Sequence, residues 1–312
     1  MQMRMVLMGT PSFAVPSLDM LCYNGYQVVG VITQPDRPKG RSGKPVPSPV
    51  KQAALLHGLP VLQPEKIRRD GVEALAALTP DLCVTAAYGQ ILSRQILDIP
   101  KLGTINIHAS LLPKHRGSAP VAWGLMMGDD HFGVTTMMTD AGIDTGDILL
   151  QRALKPLERE TCGELTERLS FLGAELLTET LMLLAEGRLT RTPQDHDAHT
   201  YEPPLTKEMG AVNWLKPAHE TVNHIHALNP WPAARTGAFK FLRAEAVQAE
   251  QGFPGEVLYA DTKNGLVIKA SLGAVRILEM QADGGKPMAA VSYLAGHPIQ
   301  KGVMIHAASE HR

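Results

Sequence analysis

At 312 residues, with 44% hydrophobic and 20% charged side chains, the chain has an ordinary globular composition and length enough for about two domains. A net charge of -1 excludes a wholly basic nucleic-acid binder, so a polyanion would have to be met by a local patch. Met1 to Met8 is apolar but is broken by Gly9-Thr10-Pro11, too short for a secretory core or a membrane span, so a cytoplasmic protein with no membrane partner is expected.

Short apolar runs alternate with longer helical ones over the first 190 residues. Met5 to Met8, Val28 to Thr33, Asp81 to Ala86, Gly103 to His108 and Val134 to Met138 read as strands. Ser12 to Asn24, Ala53 to His57, Val72 to Leu78, a segment starting at Pro120, and Gly163 to Ala185 read as helices, with Gly25 and Gly187 closing the first and last. That rhythm predicts an α/β fold, a Rossmann-like doubly wound parallel sheet. Asp195 to Leu205 is polar and carries prolines, which suits a linker. A helix over Ala218 to Ala227 is followed by Gly237 to Ala244, Gly255 to Ala260, Gly265 to Ala270 and Ala274 to Met280, short glycine-spaced strands that predict a small barrel or sandwich. The expected division is 1–190, a linker over 191–206, and 207–312. From residue 203 onward eleven Lys and Arg face nine Asp and Glu, a balance of +2 against -3 for the remainder.

The chemistry concentrates in Asn106-Ile107-His108 and the run after it. Residues i and i+2 of a strand share a face, so an amide and an imidazole at a strand end aim at one point, and ligands of open parallel sheets bind beyond the carboxyl ends of the strands. Asn106 could donate to an oxyanion, and neutral His108 could accept a proton from an attacking amine. On a glycine-punctuated loop, Asp144 could fold back to orient that imidazole. An Asn and a His at a strand end can equally be satisfied structural groups, but the loop Ser110 to Pro120, apolar at first and then carrying Lys114, His115 and Arg116, can line a pocket for an anionic organic ligand.

Other segments leave alternatives open. Gly9 to Ser12 lacks the spaced glycines of a dinucleotide site and reads either as a strand-helix turn with an N-cap or as a ligand loop. Gln34 to Pro49 carries four cations against one acid, with five prolines and two glycines, so it is either an arm that settles on phosphates or a solvated basic loop. Cys22, Cys83 and Cys162 are too scattered for a metal motif and read as core thiols, while His196 and His199 read as part of a solvated connector. His224 and His226, two apart on a helix, do not share a face. No ligand cluster accompanies the site, so no metal is expected.

These residues resemble the folate-dependent formyltransferases. The likeness runs through Gly9-Thr10-Pro11, Gln34-Pro35-Asp36-Arg37-Pro38, Ala87-Tyr88-Gly89, Asn106 to Pro113, Arg116-Gly117, Asp144-Thr145-Gly146-Asp147 and Asn229-Pro230-Trp231-Pro232. The Asn-His-Asp set marks the family broadly; the basic proline loop and the Asn-Pro-Trp-Pro segment mark the members that act on a charged tRNA. The resemblance implies a Rossmann-like catalytic domain joined to a barrel domain similar to the OB fold that assists in holding tRNA. It implies 10-formyltetrahydrofolate as formyl donor, and the α-amine of methionine on initiator methionyl-tRNA as acceptor. Asn106, His108 and Asp144 then take catalytic roles. The backbone around Gln90, Ile91 and Leu92 and the loop at Ala141, Gly142 and Ile143 receive the pterin, while Ser110, Leu111, Leu112 and Pro113 line the folate pocket. Arg37, Lys39, Arg41 and Lys44 belong to the arm that approaches the acceptor stem, and a monomer is implied. Ser93 departs from the family pattern, where proline is common, but serine can cap the helix that follows.

Three rivals share the site: a folate formyl enzyme acting on a small amine, a formyltetrahydrofolate hydrolase, and a catalytically idle tRNA-binding protein. The arm and the C-terminal domain argue against the first two, and the intact Asn-His-Asp set against the third.

Overall fold

The computed structural model describes residues 3–38 and 43–305. It divides into two compact units, one from Met1–Gly117, Phe132–Leu154 and Thr166–Tyr201, the other from Ser118–His131, Lys155–Leu165 and Glu202–Arg312. The first is built on a seven-stranded sheet of β1 (Arg4–Gly9), β2 (Gln27–Ile32), β3 (Val61–Leu62), β4 (Leu82–Ala86), β5 (Thr104–His108), β6 (Phe132–Met138) and β7 (Ile148–Leu154), in the order β7-β6-β5-β4-β1-β2-β3. β5, β4, β1, β2 and β3 are parallel. Val134 to Met138, expected within the parallel rhythm, instead runs antiparallel to β5, and β7, which sequence reading does not pick out, pairs antiparallel with β6. Met5, Val6, Leu7 and Met8 are wholly buried, as both faces of a parallel sheet are covered.

Helices form where the sequence predicts them, over Val15–Tyr23, Pro49–Leu56, Val72–Ala77, Pro120–Met127 and Cys162–Ala185. Local chemistry explains the ends. The Ser48 hydroxyl accepts from the Lys51 N–H at 3.0 Å with Pro49 in the first turn, and Thr161 and Glu164 form a reciprocal cap at the start of Cys162–Ala185, the Glu164 carboxylate accepting from the Thr161 N–H at 2.9 Å. Two expected caps do not form. Ser12 is the first residue of a short 3-10 turn rather than its cap, and Ser93 occupies the N-cap position of Arg94–Leu97 with extended backbone but a hydroxyl that finds no partner among the described residues. Burial pushes the Cys83 thiol up to about 12, as suits a core group.

Gly173, within the long helix, lies where a Cβ would press on Ile107 at 2.8 Å, so the missing side chain lets the helix close on the sheet. Because side chains alternate across a strand, Asn106 and His108 are thereby directed to the opposite face.

The second unit carries an antiparallel sheet of β8 (Ala234–Thr236), β9 (Phe239–Val247), β10 (Val257–Asp261), β11 (Gly265–Lys269), β12 (Ala274–Ala282) and β13 (Met288–Ala289), in the order β8-β9-β12-β11-β10 with β13 on β12. Its core gathers Trp214, Ile225, Phe241, Val257, Leu266, Ile268, Val275 and Met280. Trp214 meets Phe241 edge to face at 6.0 Å between centroids.

Helix Ala218–Ala227 buries His226, whose Nε2 accepts from the Ala244 N–H at 3.2 Å. Burial, assisted by the nearby Arg243 guanidinium, holds its pKa down at about 4 against an ordinary 6.5. As pH falls the unfolded chain takes up this proton first, so the stability from neutral His226 is complete above about pH 6.5 and is lost as pH drops toward 4. The shift corresponds to a loss on the order of 3 kcal/mol. Burial lowers His224 too, with the same sign. The thermal midpoint is therefore expected to fall between pH 6.5 and 4, less steeply in His226→Gln; parallel profiles for the two proteins would contradict this.

Candidate active site

The strand order turns about β1, with β2 on one side and β4 on the other, and loops leaving the carboxyl ends of these strands are tied together there. The Thr10 hydroxyl, after β1, donates to the Tyr88 carbonyl at 3.0 Å, after β4, and accepts from the Gln34 N–H at 3.3 Å, after β2. The Gly9 to Ser12 turn thus supplies a tie between loops. Gln90 is used in the same way: its Oε1 accepts from the Ile67 N–H at 2.7 Å and its Nε2 donates to the Pro64 carbonyl at 3.2 Å. That anchoring fixes the backbone around Gln90 and leaves Ile91 71% exposed while Leu92 is buried.

On β5, Asn106 pairs in register with Thr85 of β4, whose hydroxyl donates to the Asn106 Oδ1 at 2.8 Å. This bond turns the amide NH2 of Asn106 away from Thr85. His108 is 6% exposed, and its Nε2 lies 2.8 Å from the His115 carbonyl oxygen. A carbonyl only accepts, so the hydrogen-bond network assigns the proton to Nε2 and leaves Nδ1 on the other side of the ring. Nδ1 faces the Asp144 Oδ2 at 3.6 Å, longer than a hydrogen bond. The expected amide, imidazole and carboxylate are brought together, with Asp144 reaching the histidine from the loop between β6 and β7.

The run after His108 is shaped by β6 and β7. Thr135 donates to the Ser110 carbonyl at 2.7 Å and accepts from the Leu112 N–H at 3.2 Å, and Gln151 donates to the Leu112 carbonyl at 2.8 Å. The Ser110 hydroxyl donates to the Lys114 carbonyl at 2.7 Å, Leu112 is buried, and Leu111 and Pro113 are half-buried. Ala141, Gly142 and Ile143 are exposed on a turn held by Asp140, which accepts from the Gly142 N–H at 3.0 Å and the Thr145 hydroxyl at 2.7 Å.

Asp144 has φ of +53°, uncommon for a residue with a side chain. Its carboxylate accepts from the Gly117 N–H at 2.9 Å and its carbonyl from Gln194 Nε2 at 2.9 Å. Gln194 also donates to the Gly146 carbonyl at 2.7 Å and accepts from Arg116 Nε and Nη2 at 3.1 and 2.7 Å. Arg116, read from sequence as a cation for a ligand, is 4% exposed and spends these donors on the protein, with Nη2 also 3.2 Å from His196 Nδ1. Sequence reading misses Gln194 because its neighbours are polar and exposed, and the antiparallel bridge of Thr192 to Ile148 that brings it inside joins segments distant in sequence.

Of the arm, Lys39 and Arg41 lie outside the described residues. Arg37 and Pro38 pair antiparallel with Val46 and Pro45 in a short ribbon. Arg37 meets Glu65 at 3.0 Å, and Lys44 is exposed. At the ribbon's root, Asp36 accepts from Lys51 Nζ at 2.7 Å and Gln63 Nε2 at 2.8 Å, bonds that hold its carboxyl below the usual range. Among the described residues no group of three His, Cys, Asp or Glu side chains is placed to hold a metal.

Comparison with known proteins places both regions. The formyl transferase model matches residues 3–181 and the formyl transferase C-terminal domain model matches 204–298. A protein named methionyl-tRNA formyltransferase from Ruminiclostridium cellulolyticum is 44% identical over 312 residues, covering 96% of this chain and 98% of that protein. One of the same name from Geobacter sulfurreducens is 45% identical over 307 residues, covering 97% and 96%. Two solved structures are similar in fold. The N-formyltransferase from Helicobacter canadensis in complex with folinic acid and dTDP-3-aminofucose has TM-score 0.68 at 17% identity, covering 91% of this chain and 99% of that one. HypX from Aquifex aeolicus in complex with tetrahydrofolic acid has TM-score 0.67 at 18% identity, covering 97% of this chain and 50% of that one.

Proposed function

The chain belongs to the formyl transferase family, and we propose that it transfers the formyl group of 10-formyltetrahydrofolate to the free α-amine of methionine on initiator tRNA. What carries this reading is identity of 44 to 45% through both domains to proteins named methionyl-tRNA formyltransferase. The site geometry supports it. As the methionine nitrogen bonds to the formyl carbon, His108 Nδ1 takes the proton the amine gives up, the ring being held by the His115 carbonyl at its other nitrogen. Asn106, its Oδ1 occupied by Thr85, turns its amide NH2 toward the oxyanion that develops on the formyl oxygen. Asp144 faces the imidazolium formed in this step. His108 then returns the proton to the donor nitrogen as the old C–N bond breaks, so the exchange balances without a covalent enzyme intermediate.

Folate, when bound, supplies an activated formyl carbon. The residues fit such a group: Ile91 and Ile143 keep apolar side chains 71% and 49% exposed on loops flanking the site, as suits a flat ring, and the loop Ser110 to Pro113 is held rigidly by Thr135 and Gln151. The arm at Arg37, Lys39, Arg41 and Lys44 meets the acceptor stem, with the C-terminal domain assisting. The family resemblance alone supports a monomer as the working form, and a tRNA acceptor supports the cytoplasm as its place.

The test is formylation of methionyl initiator tRNA with 10-formyltetrahydrofolate, beside uncharged tRNA and a panel of small sugar and nucleotide amines. Transfer confined to charged tRNA is expected; transfer only to a small amine, or loss of donor to water, would overturn the acceptor assignment. For the arm, Arg41→Glu is expected to weaken tRNA use and lower the log-log salt slope by about one while folate affinity stays unchanged. Equal loss on a minimal methionine ester would remove the arm from tRNA recognition.

A further inference from the structure

We propose that Gln194 is a positioning residue for formyl transfer, acting through Asp144 as the link between a fixed backbone segment and the catalytic loop. The proposal rests on the reading of Asp144 as catalytic. Gln194 is 5% exposed although residues 195–201 beside it are exposed, and its amide is divided between two tasks. Its NH2 group donates to the carbonyls of Asp144 and Gly146 at 2.9 and 2.7 Å, and its oxygen receives two donors of the Arg116 guanidinium.

The segment bearing Gln194 is itself fixed. Thr192 and Ile148 exchange both backbone hydrogen bonds, 2.8 and 2.9 Å, at the start of β7. Two residues further along this antiparallel pairing, Gln194 falls beside Gly146. On the other side, the Arg116 N–H donates to the Thr200 carbonyl at 3.0 Å, and the next residue, Gly117, gives its N–H to the Asp144 carboxylate. Asp144 is therefore gripped twice: its carboxylate by Gly117, and its carbonyl by Gln194, which Arg116 orients. A side-chain residue at φ +53° persists only where its surroundings impose that conformation, and these two grips hold Asp144 in it.

Gln194 touches no reacting atom, so its effect must pass through the place and orientation of the carboxylate. Displacement of a catalytic group by about 1 Å can cost on the order of a hundredfold in rate. The decisive variant is Gln194→Glu, which keeps the shape and the acceptor for Arg116 but sets a carboxylate oxygen against the Asp144 and Gly146 carbonyls. It is expected to lower kcat about a hundredfold, with KM for tRNA and folate within about twofold. In a double-mutant cycle with Asp144→Asn, the Gln194→Glu change is expected to cost little more, because its route of action is already gone.

A merely structural role would leave the two losses additive, and that result overturns the proposal, as does wild-type kcat in Gln194→Glu. If Asp144→Asn alone retains full activity, the catalytic reading of Asp144 fails and the proposal with it. If Gln194→Glu does not fold, Gln194→Met, which removes the donors without adding charge, is read in the same cycle.

Discussion

His108→Ala is expected to reduce turnover about 10²- to 10⁴-fold, the range for losing a positioned general base, with little change in KM for tRNA. Asn106→Ala should cost about 10²- to 10³-fold, as for an oxyanion donor. The geometry makes the first loss a loss of chemistry. His108 is buried, its Nε2 is committed to the His115 carbonyl, and Nδ1 is the atom left to receive a proton. On the proposed mechanism alanine removes the proton acceptor; it also leaves the His115 carbonyl without the ring nitrogen that meets it, while the arm is untouched. The effects should not add: groups that serve one step act as a unit, so His108→Ala with Asp144→Ala should be barely worse than His108→Ala alone. Single-turnover rates on saturating charged tRNA provide the measurement. A His108→Ala rate within a few-fold of wild type would remove the imidazole from the proton transfer.

Much of this site is legible in sequence because it obeys local rules. Asn106 and His108 share a face by strand alternation alone, and the carboxyl end of a parallel strand is where such a sheet binds its ligand. The helix starting at Pro120 is readable because proline suits the first helical position, and that over Ala218 to Ala227 because its apolar residues recur at helical spacing, although neither carries a side-chain N-cap. What is not legible depends on contacts distant in sequence. The antiparallel entry of Phe132–Met138 cannot be read from an apolar run, since either direction buries the same side chains. Arg116 looks like a surface cation until Gln194, 78 residues away, is seen to accept from it. Gln194 sits in a polar, proline-bearing stretch that composition assigns to solvent, and only its ladder two residues earlier brings it inside. The Ser93 hydroxyl illustrates the converse: the residue type is right for a cap and the backbone position is right, yet no capping bond forms.

Gly146→Ala should abolish most activity for a reason that glycine's conformational freedom does not supply. The residue is not at positive φ. Instead a Cβ built on it would fall within the van der Waals envelope of the Met138 carbonyl oxygen. That oxygen belongs to the end of β6, which is held where the Met138 N–H donates to the Asp147 carbonyl at 2.9 Å. The strand cannot yield without losing its ladder, so the loop must. Moving Gly146 pulls its carbonyl from Gln194 and drags Asp144, two residues earlier, off His108. A displacement of about 1 Å there predicts a turnover loss on the order of a hundredfold, with tRNA and folate affinity nearly unchanged. Gly187 provides the contrast: it sits at φ +67°, and among the described residues no atom beyond its own chain neighbours lies within 4 Å of where a methyl would stand, so Gly187→Ala should cost about 1 kcal/mol of stability and no turnover. Measuring thermal midpoint and single-turnover rate on both variants separates the two roles of glycine. Full turnover in Gly146→Ala would mean that the loop absorbs the methyl without moving Asp144, and that the grip on this carboxylate is looser than its hydrogen bonds imply.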